Sequence, residues 1–353
     1  MDFLKNPGHQ HNLFIEHTGT DQMRILFLGS PQEVETNLRT LMEMGHQHGH
    51  ELVGVITPPA KPFGRKLIMK DPPIAEFAKL NGIPLHQTPN VNHPDSIEWI
   101  RSLQTDIAIT AAFGQILGNE FLTIPSRAVI NIHPSLLPEY RGATPVQSVL
   151  LDRAKITGVT ILFTVRSLDA GALILQRTTE IESHEKAPEL THRLFKIGSE
   201  MLFPALELLK DQSFKGTEQD PSRITHCKKI TKADGMIHWE SESTIIMAKF
   251  RAYWGWPGSY TFFAGKRINI IEMNIADSSI TNQNSTISEK IQQEHAFGGF
   301  CFCQKSKNIL VKTLQNYIKI TKLQPEGSQP MEAAAFWNGI KNKTNQYFFS
   351  PSK

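Results

Sequence analysis

The sequence predicts an α/β chain in two parts: a mostly parallel sheet with helices on both faces, then a small β-barrel. Three observations predict it. From Met23 to about Lys210, short apolar runs alternate with segments of helical spacing, the pattern of a parallel sheet with crossover helices. From about Asp211 that pattern gives way to a polar stretch and then to short strand-like pieces divided by turn residues. A chain of 353 residues also exceeds what one ordinary core organises, so two domains are expected.

Residues 1–22, MDFLKNPGHQHNLFIEHTGTDQ, hold three acidic residues, no arginine and no long apolar core. They suit neither a secretory signal nor an organelle transit peptide and are expected as a loosely ordered extension. MRILFLGSP is then an apolar strand closed by Gly29-Ser30-Pro31. Ser30 is the expected N-cap, and Pro31 the expected first helical position, of the helix in QEVETNLRTLMEMG. ELVGVIT completes a strand–helix–strand opening that lacks G-x-G-x-x-G, so a nicotinamide cofactor is not expected. PPIAEFAKLNGIP reads as a helix stopped at Gly82. DIAITAAFG and AVINIH are the third and fourth strands, and GVTILFTV the fifth, after the helix in TPVQSVLLDRA. In the long helix of APELTHRLFKIGSEMLFPALELLK, Leu190, Leu194, Ile197 and Met201 fall on one stripe. DQSFKGTEQDPSR reads as a linker, and GSYTFFAG, KRINIIEM, GFCFCQ, NILVKTL and YIKITKLQ as barrel strands. The segment 277–297 between them is polar and poor in apolar residues, an expected mobile loop. The expected organisation is thus an extension at 1–22, an α/β domain at 23–210, a linker at 211–228 and a barrel domain at 229–353.

Composition narrows the function classes. With 40% hydrophobic and 20% charged residues the chain reads as a soluble globular protein. No apolar run approaches the roughly 18 to 20 residues of a membrane helix, so no membrane partner is expected. Cys227, Cys301 and Cys303 are too few for a disulfide framework and fit a reducing compartment. Cys301 and Cys303 alternate as strand residues do, and His46, His48 and His50 read as a turn before a strand, so no metal site is expected. The net charge of +3 hides an asymmetry: from Pro221 onward 17 Lys and Arg stand against 9 Asp and Glu, while the remainder has 20 against 25. That balance fits either a polyanion partner for the C-terminal part or a plain solvated surface.

The chemistry concentrates in AVINIHPSLLPEYRG. Asn131 and His133 stand two apart in an extended run and project to one side. Pro134 and Pro138 cannot continue a ladder, so the strand stops near His133, at the carboxyl end where open sheets bind ligands. Asp169 lies just past the next strand, before Gly171, where its carboxylate is expected to bond the imidazole, fix its tautomer and favour its charged form. Without a nearby Ser or Cys nucleophile, the trio suits direct transfer, in which an amine attacks a carbonyl. Asn131 would donate to the developing oxyanion, worth roughly 3 to 4 kcal/mol, and the His/Asp pair would manage the amine's proton, worth on the order of 100- to 10,000-fold. From spacing alone a structural role for each of the three stands beside this one.

The stretch NIHPSLLPEYRGATPVQ, with GVTILFTVRSLDAG after it, resembles the 10-formyltetrahydrofolate-dependent formyltransferase family, whose motif N-x-H-x-S-L-L-P is followed by an Asp 36 residues beyond the His. MRILFLGSP, GRKL, ITAAFGQIL, RAYWGWPGSY and LQPEGSQPM resemble, in order, segments of the members that act on charged initiator tRNA, over about Met23 to Tyr347. The resemblance implies a Rossmann-like catalytic domain and an OB-like barrel. It implies transfer of formyl from 10-formyltetrahydrofolate, released as tetrahydrofolate, to the α-amino group of methionine on initiator tRNA. It places the catalytic trio on Asn131, His133 and Asp169, the folate-contacting turn on Ser135, Leu136, Leu137 and Pro138, and the wall of the pterin pocket on Phe113 and Gly114. It puts tRNA contacts on Arg65, Lys66 and Lys70 of a basic loop, and Lys228, Lys229, Lys232, Lys249, Arg251, Lys266 and Arg267 become candidate phosphate contacts. A monomer without metal, in the cytoplasm or an organelle matrix, completes the implied picture. A sugar-amine formyltransferase, which shares trio and folate, is the alternative. The chain departs from the pattern at Pro134, where some members have Gly, and at Thr144, where Ala is usual.

Overall fold

The computed structural model describes residues 22–64, 67–276, 297–341 and 346–349. Residues 1–21 of the expected extension, Arg65 and Lys66 of the expected basic loop, and the polar loop up to residue 296 lie outside the described residues.

A seven-stranded sheet forms the first layer system, in the order β5-β2-β1-β6-β7-β8-β9. Its strands are β1 (Arg24–Gly29), β2 (Glu51–Thr57), β5 (Leu85–Gln87), β6 (Ile107–Ala111), β7 (Ala128–His133), β8 (Ile156–Phe163) and β9 (Leu173–Glu180). Pairing is parallel from β5 to β7 and antiparallel from β7 to β9. Helices cover both faces because the central strands are apolar on both. On β1, Ile25 and Phe27 enter one apolar cluster while Leu26 and Leu28 enter the other, as period-two alternation requires. The first cluster is covered by α1 (Glu35–Gly45), α2 (Pro73–Leu80), α5 (Pro145–Leu151) and α6 (Ala187–Leu208); the second by α3 (Pro94–Ser102) and α4 (Asn119–Leu122). Each fully buried Leu or Phe in these clusters contributes about 1.5–3 kcal/mol. On α6 the predicted stripe packs inward, with Leu190, Leu194 and Met201 buried and Ile197 half-buried.

The start of α1 differs from expectation. Pro31, not Ser30, stands at the N-cap of a short 3-10 turn, Gln32–Val34, without a side-chain cap bond, and the α-helix begins only at Glu35. Pro31 at ψ 164° keeps the chain extended past Ser30, out of reach of the amides a cap must serve. Between β2 and α2 a hairpin of β3 (Lys61–Phe63) and β4 (Ile68–Lys70) stands off the sheet.

The C-terminal part opens with α7 (Ser243–Ala252), which contacts α5 and sends Ala252 and Tyr253 into the first apolar cluster. Five antiparallel strands follow in the order β10-β11-β14-β13-β12: β10 (Ser259–Phe263), β11 (Lys266–Ile275), β12 (Phe300–Cys303), β13 (Asn308–Lys312) and β14 (Tyr317–Pro325). The short β15 (Met331–Glu332) pairs with β14 and leads into α8 (Ala333–Gly339). Residues 346–349 bond to both outer strands, Phe349 exchanging two hydrogen bonds with Phe262 while Gln346 and Phe348 pair beside β12. The two open edges are thereby joined, which is how a small barrel removes unpaired strand edges. No helix among the described residues is long and apolar enough to cross a membrane.

Candidate active site

Asn131 and His133 sit at the carboxyl end of β7 as the sequence predicts, but Asp169 arrives by a different route. β8 runs antiparallel to β7, with His133 opposite Thr160 and Ile130 opposite Phe163. The carboxyl end of β8 therefore lies beside the body of β7, and Thr164 N–H donates to the Val129 carbonyl at 2.7 Å. The chain must double back, and it does so by Phe163 N–H donating to the Ala172 carbonyl at 2.9 Å. Gly171 makes the return possible: a Cβ there would stand 1.9 Å from the Phe163 carbonyl oxygen. Asp169 takes a left-handed backbone, φ 51°, at the tip of this return.

The three side chains meet. Asn131 Nδ2 donates to Asp169 Oδ1 at 3.3 Å, and Thr110 Oγ1, from the paired position on β6, donates to Asn131 Oδ1 at 2.8 Å. These partners fix which end of the carboxamide is nitrogen, and among the described residues its second hydrogen meets no acceptor. Asp169 Oδ2 accepts from Gly142 N–H at 2.8 Å and stands 3.6 Å from His133 Nδ1. His133 Nε2 lies 3.0 Å from the Tyr140 carbonyl, which only accepts, so Nε2 carries the hydrogen and Nδ1 keeps its lone pair. The expectation that Asp169 fixes the tautomer is thus corrected: the Tyr140 carbonyl does. Asp169 does favour the charged form, as expected, but it does not decide the balance. His133 is 3% exposed, and burial pushes its pKa below the ordinary value despite the opposing pull of Asp169.

The turn after β7 is stitched to the sheet from behind. Ser135 is fully buried and donates its hydroxyl to the Glu139 carbonyl at 2.8 Å. Thr160 Oγ1 donates to the Ser135 carbonyl and accepts from Leu137 N–H, while Gln176 Nε2 donates to the Leu137 carbonyl and to Thr160. Leu136 packs on Gly158, Leu137 is 3% exposed, and Pro138 offers its carbonyl to Thr225 N–H. The Leu137 side chain is therefore turned into the protein. Phe113 of the expected wall has its ring buried in the second apolar cluster, while Gly114 beside it has open space at its Cβ position.

The segment expected as a linker lies against the site. Tyr140 N–H donates to Thr225 Oγ1, Arg141 N–H to the Thr225 carbonyl, Cys227 N–H to the Arg141 carbonyl, and Thr144 Oγ1 to the Lys228 carbonyl. Thr110, Thr160, Gln176 and this strap escaped the sequence reading. Thr110 carried one signal, its place at the end of the strand that pairs with AVINIH.

The candidate cations are scattered in use. Lys228, Lys229, Lys232 and Lys266 are exposed, and Lys70 is exposed on β4 with its ammonium 5.5 Å from the Phe63 ring centre. Lys249 is half-buried. Arg251 points at the carbonyls of Ser183 and Glu182, 2.5 and 3.5 Å away, and Arg267 stacks on Tyr260 at 3.8 Å while bonding Asn269. Arg251 and Arg267 therefore already hold protein partners. The hairpin carries a further signal that sequence reasoning missed: Phe63, Ile68 and Met69 are all at least 60% exposed beside its lysines. Among the described residues, no group of three or more His, Cys, Asp or Glu is placed to hold a metal ion.

Comparison with known proteins agrees with this layout. Residues 23–206 match the family described as formyl transferase, and residues 229–341 match the formyl transferase C-terminal domain. The methionyl-tRNA formyltransferase of Chloroflexus aurantiacus is 35% identical over 318 residues, 90% of this chain and 97% of the relative. That of Caldicellulosiruptor saccharolyticus is 35% identical over 330 residues, 91% and 98% of the two chains. Among solved structures, HypX from Aquifex aeolicus in complex with tetrahydrofolic acid superposes with a TM-score of 0.59 at 17% identity, over 93% of this chain and 51% of HypX. At that identity the likeness is one of fold.

Proposed function

The chain belongs to the formyl transferase family, and from that premise we propose that it transfers formyl from 10-formyltetrahydrofolate to the α-amino group of methionine esterified to initiator tRNA. The observation that carries the reading is the convergence of Asn131, His133 and Asp169 beyond the end of β7. Relatives named methionyl-tRNA formyltransferase, matched over nearly their whole length, support the choice of acceptor.

The donor set suits a folate-borne formyl group, which supplies an electrophilic carbon and a leaving amine. Asn131 Nδ2 has a second hydrogen to give to the formyl oxygen as negative charge gathers there, and Thr110 holds the amide in that orientation. The attacking amine must be neutral and must shed a proton. His133 Nδ1 is the basic nitrogen left for that proton, since Nε2–H is held by the Tyr140 carbonyl. The imidazolium so formed lies between the Asp169 carboxylate and the Tyr140 carbonyl, an acceptor for each N–H, and balance is reached when that proton passes to the folate nitrogen as its bond to the formyl carbon breaks. Burial keeps the imidazole neutral, hence ready to accept, at neutral pH. The lysines and exposed apolar side chains of the β3–β4 hairpin suit contact with the acceptor end of the tRNA, and Lys228, Lys229, Lys232 and Lys266 suit its phosphates. The reading carries with it a monomeric enzyme of the cytoplasm.

Labelled formyl should pass from 10-formyltetrahydrofolate to charged initiator tRNA and much less to charged elongator tRNA. Asn131→Ala should lower kcat by about 10²–10³-fold and Asp169→Ala by at least about 10²-fold, with unfolding midpoints near wild type. A fully active Asn131→Ala/Asp169→Ala double variant, or label passing to a nucleotide-sugar amine and not to tRNA, sinks the reading.

A further inference from the structure

We propose that Gln219 is a positioning residue for Asp169, which makes the strap from Thr217 to Lys228 a working part of the site. The inference rests on the reading of Asp169 given above.

Asp169 needs outside support. β8 delivers it from the wrong direction, and its left-handed backbone is one that only surrounding contacts hold in place. Gln219 supplies those contacts. Its Nε2 donates to the Asp169 carbonyl at 2.8 Å and to the Gly171 carbonyl at 2.7 Å, using both amide hydrogens on the two sides of the turn. Its Oε1 accepts twice from Arg141, from Nε at 3.1 Å and Nη2 at 2.7 Å. A guanidinium only donates, so the amide cannot be reversed: the oxygen faces Arg141 and the nitrogen faces the turn.

Arg141 is the other half of the device. It and Gln219 are 9% and 8% exposed, and among the described residues no carboxylate stands within ion-pair distance of the Arg141 side chain. Its two sequence neighbours are the backbone groups that the trio uses: Tyr140, whose carbonyl takes His133 Nε2–H, and Gly142, whose N–H holds Asp169 Oδ2. The main chain of Arg141 is itself clamped by Thr225 and Cys227 of the strap. One Gln–Arg pair thus ties the loop bearing Asp169 to the loop bearing the partners of His133. A buried polar network satisfied in this way is rigid, and a displacement of about 1 Å at a reacting centre costs on the order of 100-fold in rate.

Two variants test the inference in the full-length enzyme. Gln219→Glu keeps an acceptor for Arg141 but loses both donors to the turn. Arg141→Met/Gln219→Met removes the pair together and leaves no unpaired buried charge. Each should lower kcat by about 10- to 100-fold while KM for 10-formyltetrahydrofolate and for charged tRNA changes by less than about threefold. The acid limb of the rate profile should also move to lower pH, because a displaced Asp169 no longer raises the His133 pKa. A kcat within about twofold of wild type, or a fall in kcat with the acid limb unmoved, in a variant that unfolds at the wild-type midpoint, overturns the inference. Asp169→Asn separates the two levels. If it stays active, the reading of the site fails; if it is inactive while both Gln219 variants turn over normally, only the positioning role fails.

Discussion

At the residue scale, the orientation of each polar group at the site is set by its hydrogen-bond partners. Asn131 illustrates it: the Thr110 hydroxyl takes the amide oxygen, Asp169 takes one amide hydrogen, and the other remains for substrate. Replacing Thr110 by Val keeps the shape and removes the hydroxyl, so the carboxamide is free to turn. One neutral hydrogen bond is worth about 0.5–1.5 kcal/mol, and kcat should fall roughly threefold to tenfold with KM for the folate unchanged. Steady-state kinetics checks it, and an unaltered kcat would remove Thr110 from the site. Asn131, His133 and Asp169 were legible as candidates from side-chain chemistry and spacing, and the family resemblance chose the catalytic reading over a structural one. The groups that orient them were not legible, because the Tyr140 carbonyl and the Gly142 N–H belong to the backbone, which every residue has. The balance at His133 was hidden for a related reason. Whether burial or Asp169 governs its charge depends on how completely the fold covers it, and no residue pair states that.

At the scale of elements, strands with continuous apolar runs announced themselves and the less regular ones did not. LILQRTTE, which forms β9, turns polar after Gln176 because it is an edge strand with exposed residues, so its pattern matched no template. Missing β9 hid the antiparallel turn-back, and with it the path that brings Asp169 to β7. The hairpin β3–β4 was invisible because its apolar residues face outward instead of into a core. The strap read as a linker because Gly and Pro punctuation looks alike in a free connector and in one pinned by hydrogen bonds. Gly158 shows how tightly β8, β9 and the turn after β7 fit together. A Cβ there would lie 2.1 Å from the Arg177 carbonyl of β9 and 2.5 Å from Leu136 Cδ2. Gly158→Ala should therefore destabilise by about 1–3 kcal/mol and weaken folate binding by displacing Leu136. Denaturant unfolding should show a lower midpoint at an unchanged slope. A variant as stable as wild type would mean that β8 and β9 part without strain.

At the scale of the whole molecule, the two halves predicted from the alternation of elements are joined more closely than a charge count suggests. Ala252 and Tyr253 lie in the first apolar cluster, and Arg251 reaches the Glu182 and Ser183 carbonyls. Stability of the joined body should fall in mild acid, for a reason distributed over the chain. His50, His86 and His133 are each shifted to lower pKa, in every case chiefly by burial. His50 is the plainest: it is 1% exposed, its Nδ1 accepts from Met23 N–H, and its Nε2 has no hydrogen-bond partner among the described residues. Protonation at Nδ1 sets a hydrogen against that donor. As pH falls below about 6.5, the unfolded chain takes up protons on these residues that the folded chain refuses. Stability therefore rises with pH through this range and is lost on acidification. Carboxylates add to the same trend lower down. Glu185 and Asp71 are held below their ordinary pKa, Glu185 by Arg193 against the effect of burial and Asp71 by Lys79 and Gln87, and their contribution fades as pH drops through the folded values. Urea midpoints measured from about pH 8 down to about pH 5 should decline from near pH 6.5 at a constant slope. His50→Gln, which leaves nothing to protonate at that position, should flatten the decline. A midpoint that holds steady or rises on acidification would show that the buried imidazoles are not what limits this fold in acid.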